Sequence, residues 1–421
     1  MLDKTEGLQY PIGEEISGMS YLLQMAIVFF LGYLGALLAN RVGIPKVSAY
    51  VLVGMALSPT ISGVISHEFL KETTVIVDFA LAMVAYTLGG HLKLKGIKEQ
   101  GKEIVSITLG QGFGAYVFVT MSSFVFLHFF YTSFSLLDVA IISILFGAIS
   151  LSTAPAATIA TIHECRARGP FTSVLMAIVA LDDAMGLVFF ALTLSIVKGM
   201  AIDPDYSNLA VTAAFLKLAY SMLIGGAVGV LLVYSIKYIN RKETLIILTV
   251  ASFCLVFGLN ESLHLEPLFS TMIMGLTVSN LYPDDLPFKF LEGYYEPVVF
   301  VVFFVLAGAH IDLQVLFEYF PLAILFVTFR VSGKWVGTYI SGTLAGAPRE
   351  HSKYLGMGLA PQAGIAIGLA LYIQQIPQLE LYGTIALNVI VAKTAINEVL
   401  GPWLLRFALI KVKEAGKTGV V

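Results

Sequence analysis

The chain has 421 residues, of which 57% are hydrophobic and only 13% are charged, and its formal net charge at pH 7 is -3. About a quarter of the residues of an ordinary globular domain are charged. This composition therefore excludes a soluble protein and predicts a chain that lies mostly within a lipid bilayer.

Taken in chain order, the hydropathy pattern predicts an all-α polytopic membrane protein with about thirteen apolar stretches, each near the roughly 20 residues that a spanning helix needs. The connecting loops are short, so we expect residues 1–421 to form a single transmembrane transporter domain. The stretches cover residues 20–39, 46–65, 73–92, 102–130, 136–162, 170–198, 209–234, 244–261, 265–281, 292–309, 318–345, 350–375 and 381–410.

The lysines and arginines of the loops indicate the orientation of the chain. When successive loops are assigned alternately to the two sides of the membrane, only Lys4, Lys71 and Lys198 fall on the side that contains the N-terminus. Cytoplasmic loops are enriched in lysine and arginine. We therefore expect the N-terminus outside and the C-terminus in the cytoplasm, with the chain in the inner (plasma) membrane of the cell.

Two of the predicted helices are interrupted by a proline. Residues 150–158 read Ser-Leu-Ser-Thr-Ala-Pro-Ala-Ala-Thr, and residues 358–368 read Gly-Leu-Ala-Pro-Gln-Ala-Gly-Ile-Ala-Ile-Gly. Proline removes a backbone donor and clashes with the preceding turn. At membrane depth the freed backbone groups are tolerated only inside protein or along a wet cavity. The candidate residues of these broken helices are Ser152, Pro155, Pro361 and Gln362.

The two prolines hold equivalent places in two sets of five predicted helices, residues 46–198 and 265–410. Each proline falls in the fourth helix of its set, and the two sets start on opposite sides of the membrane, so they form inverted repeats. Paired broken helices in inverted repeats mark the midplane site of a secondary transporter. Where the half-helices cross, nearby charged side chains can balance their partial charges.

Asp182 and Asp183 lie side by side in an apolar segment, residues 177–190. A charged carboxylate at the centre of a membrane helix costs about 3 kcal/mol or more. The cost is offset only if a cation meets the pair, whether a proton, a metal ion or a lysine. The pair therefore predicts that the chain moves cations across the membrane.

Adjacent residues of a helix point about 100° apart, so the two carboxylates cannot both face one small pocket. We expect one to bind the transported ion and the other to turn toward a basic partner, for which Lys334 is the best candidate. Thr153 and the carbonyls freed near Pro155 are oxygen ligands of the kind that hard cations prefer. A cation that reaches the deprotonated carboxylates displaces protons, and this competition is sufficient for exchange.

The sequence does not decide the roles of the other charged residues at membrane depth. Arg330 lies one helical turn before Lys334, and it either pairs with Glu296 or serves the site, so the basic partner of the aspartates is undecided between Lys334 and Arg330.

Lys393 and Glu398 either pair with each other or support the second broken helix, and we expect a structural role for them. Asp78 has no evident partner in the sequence, and its role is open.

Several segments resemble the monovalent cation/proton antiporter superfamily, and the resemblance covers nearly the whole chain. Residues 35–54, Gly-Ala-Leu-Leu-Ala-Asn-Arg-Val-Gly-Ile-Pro-Lys-Val-Ser-Ala-Tyr-Val-Leu-Val-Gly, are similar to the first loop and second helix of that family, and residues 297–312 contain its Phe-Phe-x-x-x-Gly segment. The Ser-Thr-Ala-Pro stretch, the Arg-Gly-Pro run at 168–170 and the Asp-Asp pair are similar to its first broken helix and the helix that follows.

This resemblance implies roles for the site residues. An Asp-Asp pair with a lysine in a later helix is similar to the electrogenic branch of bacterial sodium/proton antiporters. It implies that Asp183 is the main carboxylate for Na+ and the proton, that Asp182 pairs with Lys334, and that Thr153 borders the site.

The resemblance also implies a homodimer that works as an elevator. A static dimerisation part would comprise residues 20–92 and 244–311. The mobile core that carries the ion would comprise residues 102–198 and 318–410, with residues 209–234 as a linking helix.

The sequence therefore predicts a secondary antiporter that exchanges Na+ or Li+ for H+, with no cofactor, no enzymatic activity and no nucleic-acid partner. Potassium/proton exchange on the same scaffold is the nearest alternative. An intramembrane aspartyl protease would need two carboxylates that approach closely and share a proton, which adjacent residues of one helix fit poorly. A cation channel would need a ring of selectivity groups, whereas two broken helices in one chain favour alternating access.

Overall fold

A computed structural model describes residues 19–42, 46–92, 101–202, 208–238, 242–284, 286–362 and 364–415. Within these ranges all regular secondary structure is helical, which confirms the predicted fold class. Outside the described residues lie Lys4, positions 43–45 of the 35–54 segment and position 363 of the second proline-containing stretch.

The helices follow the predicted apolar stretches. In the described part of the chain, eight helices are long and apolar enough to cross a bilayer, and five more are apolar but shorter, so the count of thirteen spans stays a prediction. The helices are α1 (Tyr21–Val42), α2 (Lys46–Leu57), α3 (His67–Glu72), α4 (Thr74–Gly90), α5 (Gly101–Phe130), α6 (Leu136–Ile149), α7 (Pro155–Glu164), α8 (Pro170–Ile202), α9 (Asn208–Ile236), α10 (Lys242–Ser262), α11 (Pro267–Leu281), α12 (Leu286–Phe290), α13 (Glu296–Ala309), α14 (Leu313–Glu318), α15 (Phe320–Ala345), α16 (Arg349–Gly358), α17 (Gly364–Gln374) and α18 (Glu380–Lys411).

Each proline-containing stretch is divided into two half-helices. Between α6 and α7 lies the first crossing segment, residues 150–154, and between α16 and α17 lies the second crossing segment, residues 359–362. Pro155 opens α7, a position that favours proline because the first N–H groups of a helix have no intrahelical partner. The break therefore precedes this proline and leaves the last carbonyls of α6 without helical partners.

The packing of the two five-helix sets is symmetric. The third helices of the sets, α5 and α15, pack against each other. The first helix of each set packs against the second helix of the other, since α2 contacts α13 and α4 contacts α11. This exchange of partners is what a two-fold relation between inverted repeats requires.

Glycines allow these helix pairs to approach closely. Gly110 and Gly114 of α5 face Gly337 and Gly333 of α15, and a Cβ on any of the four would meet the backbone of the other helix. Small residues four apart are a common means of close helix packing in membranes. The α2–α13 and α4–α11 pairs use one glycine from each helix in the same way: Gly54 with Gly308, and Gly89 with Gly275.

Side-chain contacts at the helix ends join loops that the sequence assigns to the same side. On the side predicted to be cytoplasmic, His351 lies 2.7 Å from a carboxylate oxygen of Glu103. On the other side, the hydroxyl of Tyr382 donates to Asp138 over 2.6 Å. These contacts agree with the alternation of the loops, while the identity of the cytoplasmic side stays a prediction.

Candidate functional site

The two crossing segments meet in the buried interior. The N–H of Ala154 donates to the carbonyl of Pro361 over 2.9 Å. The side-chain amide of Gln362 donates to the carbonyl of Ile149 (2.7 Å) and to the hydroxyl of Ser152 (3.0 Å). The predicted broken-helix residues are therefore brought together at one crossing.

Arg330 of α15 binds backbone carbonyls of both crossing segments. Its guanidinium donates to Ser150 (2.8 Å), Ser152 (2.6 Å) and Ala360 (2.6 Å). Half-helices that end in the interior leave carbonyls unpaired, and the rigid five-donor guanidinium can satisfy several of them at once. Arg330 thus compensates the negative ends of two half-helices.

The pairing of Arg330 with Glu296 that the sequence allowed is wrong. All three guanidinium nitrogens of Arg330 donate to the crossing carbonyls, and the side chain is fully buried. Glu296 lies instead near Glu292 and His91. Helical spacing places residues on a face but does not define how far that face lies from another helix.

Lys334, one turn after Arg330, binds Asp182. Its ammonium nitrogen lies 2.7 Å from Oδ2 of Asp182, and both side chains are fully excluded from solvent. The same nitrogen donates to the carbonyl of Leu151 (2.7 Å) and to the hydroxyl of Thr153 (2.8 Å). Lys334 therefore uses its three protons on one carboxylate and on the first crossing segment.

Both carboxylate oxygens of Asp182 have donors. Thr153 donates its hydroxyl to Oδ2, which also accepts from Lys334. The side-chain amide of Gln111, on α5, donates to Oδ1. With its charge paired and its oxygens bound, Asp182 has little capacity left for a transported ion.

Asp183 has a different environment, although it is the next residue. It is 3% exposed, and its Oδ1 is a buried oxygen with no hydrogen-bond partner among the residues that the structure describes. The backbone amide of Thr153 faces its carboxylate. An unpaired buried carboxylate oxygen is costly, so it calls for a proton or a cation at this position.

The expected ligand shell around Asp183 needs correction. The hydroxyl of Thr153 is directed to Asp182 and Lys334. The carbonyls of residues 150–152 accept from Arg330 and Lys334. These three freed carbonyls are thus occupied by protein donors, because an unpaired carbonyl is costly in the membrane interior.

Lys393 of α18 contacts the second crossing segment. Its ammonium nitrogen donates to the side-chain oxygen of Gln362 over 2.7 Å and lies 5.7 Å from the centre of the Phe326 ring. Asn397, one turn later, donates to the carbonyls of Ala360 (3.1 Å) and Gln362 (3.2 Å). Lys393 therefore hydrogen-bonds to the second broken helix, and it also interacts electrostatically with Glu398.

Two other acidic residues do not hydrogen-bond to the described residues of the crossing segments. Oε1 of Glu398 is buried with no hydrogen-bond partner in the described part of the chain, and its carboxylate lies near Ser48 of α2 and Lys393 of α18. Asp78 lies near Glu261. Neither contact gives these residues a role at the crossing.

The sequence reading missed Gln111 and Asn397. Both are uncharged, and a search for charged groups at membrane depth does not detect amides. A signal was nevertheless present, because Gln111 lies between two glycines in a mostly apolar helix. Polar side chains in such helices normally face the bundle interior and a partner there.

The chain is similar to known cation/proton antiporters. A protein-family model described as "Sodium/hydrogen exchanger, transmembrane" matches residues 26–406. In the solved structure of the sodium proton antiporter MjNhaP1 from Methanocaldococcus jannaschii at pH 8, the fold is similar with a TM-score of 0.74 and 18% identity, covering 94% of this chain and 99% of that one.

Two relatives are similar over most of their length. The K(+)/H(+) antiporter subunit KhtU of Bacillus subtilis is 23% identical over 351 residues, which are 80% of this chain and 82% of the relative. The ammonium/H(+) antiporter subunit AmhT of Alkalihalophilus pseudofirmus is 21% identical over 356 residues, 83% of this chain and 84% of the relative.

Proposed function

Because this chain belongs to the sodium/hydrogen exchanger family, we propose that the cation it exchanges for protons is Na+ or Li+ and that the exchange is electrogenic. Family membership makes it a multi-pass cation/proton antiporter and not an enzyme, which confirms the resemblance seen in the sequence.

One observation carries the proposal: within the described part of the chain, Asp183 is a buried carboxylate with an unpaired oxygen, beside a carboxylate that is fully paired. A buried charge is tolerated only when it is compensated. Asp183 therefore holds either a proton or a monovalent cation, and never stays empty for long. Binding of one displaces the other, and this competition couples the two fluxes.

The Asp182–Lys334 pair supplies the additional proton that electrogenic exchange requires. Moving more protons than cations needs a second proton-carrying group that responds to the ion at Asp183. The pair shares Thr153 with the ion site, since the Thr153 hydroxyl binds both partners and its amide faces Asp183. The protonation of this pair is therefore coupled to the binding of an ion at Asp183.

Potassium is the second candidate cation, and the name of KhtU as a K(+)/H(+) antiporter subunit favours it. The carboxylate oxygens of Asp183 suit any hard monovalent cation. The discrimination between ions depends on small differences in the cavity, so the assay below includes potassium.

The packing supports an elevator made of two parts, as the resemblance implied. One set of helices is joined by mutual contacts: α1, α2, α4, α11 and α13. A second set is joined in the same way: α5, α6, α8, α15, α16 and α18. The first group falls in the proposed dimerisation part, residues 20–92 and 244–311, and the second in the proposed core, residues 102–198 and 318–410. We further propose a homodimer in the plasma membrane, with the N-terminus outside.

Everted membrane vesicles with a pH-gradient dye test the proposal directly. Addition of Na+ or Li+ to energised vesicles should dissipate the gradient, and K+ should do so weakly or not at all. Asp183→Ala removes the carboxylate and should abolish the response, since neither proton nor cation retains a binding oxygen there.

Glu380→Ala is the matched control, because this exposed acidic residue lies at the end of α18, away from the crossing. Its response should equal that of the unmodified protein. Full exchange by Asp183→Ala would refute the site, and a response to K+ alone would replace the proposed ion with potassium.

A further inference from the structure

Lys393 is a fully buried charge that the mechanism above does not use. It lies on α18, the fifth helix of the second repeat, and its hydrogen-bond partner is the neutral oxygen of Gln362. A lysine without solvent at membrane depth is costly unless it serves a partner. The question is what this ammonium group stabilises.

The fifth helices of the two repeats have equivalent contacts. In the first repeat the fifth helix, α8, supplies Asp182, which binds Thr153 of the first crossing segment. In the second repeat the fifth helix, α18, supplies Lys393, which binds Gln362 of the second crossing segment. Each fifth helix thus contributes charge to the broken helix of its own repeat, negative from α8 and positive from α18.

The amide of Gln362 extends the contact to the first crossing segment. Lys393 donates only, so the side-chain oxygen of Gln362 must face it. The amide nitrogen is then directed to the carbonyl of Ile149 and the hydroxyl of Ser152. Ser152 directly precedes Thr153, whose amide and hydroxyl face the two aspartates.

We propose that Lys393 is a positioning residue of the ion site, which acts through Gln362 to hold the first crossing segment beside Asp183. The ammonium group fixes the orientation of the Gln362 amide. That amide binds Ile149 and Ser152, and the ordered segment presents Thr153 to the aspartates. This inference rests on the proposed function only where it concerns ion affinity.

Hydrogen exchange of the purified protein tests the positioning role without any transport. Lys393→Met removes the charge and the donor but keeps the length of the side chain. The amides of residues 149–154 should exchange about tenfold faster, as expected when a buried hydrogen-bond chain is lost. Lys217→Met is the matched control, since this half-buried lysine lies on α9 outside both repeats, and it should leave that exchange unchanged.

Ion affinity provides the second measurement. In vesicles, Lys393→Met should raise the KM for the cation about tenfold with a smaller change in the maximal rate, and Lys393→Arg should restore part of the affinity. Gln362→Leu should reproduce both effects, which keeps the test available if Lys393→Met does not fold. In the Lys393→Met, Gln362→Leu double variant the effects should not add, because the two residues act as one unit.

The outcomes separate this inference from the proposed function. Unchanged exchange of residues 149–154 in Lys393→Met, or additive effects in the double variant, would overturn the role of Lys393 even if Asp183 binds the cation. Faster exchange of these amides together with failure of every cation in the unmodified protein would instead overturn the proposed ion and leave the positioning role standing.

Discussion

At the scale of single residues, the two adjacent aspartates differ because a helix turns about 100° between them. Asp182 points to Lys334, Thr153 and Gln111, whereas one oxygen of Asp183 has no partner among the described residues. A buried ion pair with a full set of hydrogen bonds is well compensated. The same sequence pair therefore yields one paired carboxylate and one that remains available to an ion.

Asp182→Asn tests the electrogenic step at this scale. The amide keeps the shape of the side chain but cannot pair with Lys334 as a charge, so we expect exchange to continue at a reduced rate and to lose its dependence on membrane potential. The measurement is the initial rate of cation-driven proton movement in proteoliposomes with and without an imposed potential. The electrogenic assignment is wrong if the exchange rate of the unmodified protein does not depend on the potential, or if the rate of Asp182→Asn still does.

At the scale of helices, the contact of α5 with α15 determines where the site residues lie. Gly110 and Gly114 bring the backbone of α5 onto Gly333 and Gly337 of α15. Gln111 lies within the first pair and Lys334 within the second, and both reach Asp182 from there. The close approach thus serves the polar contacts as well as the packing.

Gly333→Ala tests this contact. The new methyl group would meet the backbone of Gly114, and overpacking of this kind costs about 1–3 kcal/mol. We expect a lower melting temperature in detergent and slower exchange, because Lys334 moves away from Asp182. Gly226→Ala is the matched control, since a Cβ there meets nothing within 4 Å, and equal melting temperatures for the two variants would contradict the prediction.

At the scale of the whole molecule, the inverted repeats bring two broken helices to one place. A single broken helix would leave carbonyls unpaired in the membrane interior. Two that cross can share donors, and Arg330 bonds carbonyls of both segments. The symmetry therefore explains how an unwound site can be stable at this depth.

Sidedness is the prediction that belongs to the whole molecule. In a variant without Cys165 and Cys254, a single cysteine at the exposed positions of Lys71 or Lys353 reports the side of the membrane. A membrane-impermeant maleimide should label Lys71→Cys in intact cells and Lys353→Cys only in everted vesicles. The reverse pattern would invert the orientation that the positive charges predict.

The sequence by itself determined the membrane class, the order of the apolar stretches, the two broken helices and the importance of the aspartate pair. These features depend on local composition, on the backbone chemistry of proline and on the cost of a charge in lipid, all of which can be evaluated along the chain. The family resemblance depended on the same residues, and the match over residues 26–406 confirms it.

Only the tertiary structure decided which partners these groups have. Arg330 binds the crossing carbonyls and not Glu296, Thr153 serves Asp182, and Gln111 and Gln362 complete the polar interior. The partners come from helices far apart in the chain. A hydrogen bond forms only when the donor–acceptor distance falls within a range a few tenths of an ångström wide. Spacing along a helix gives the direction of a side chain, whereas the distance to its partner is set by how the helices pack.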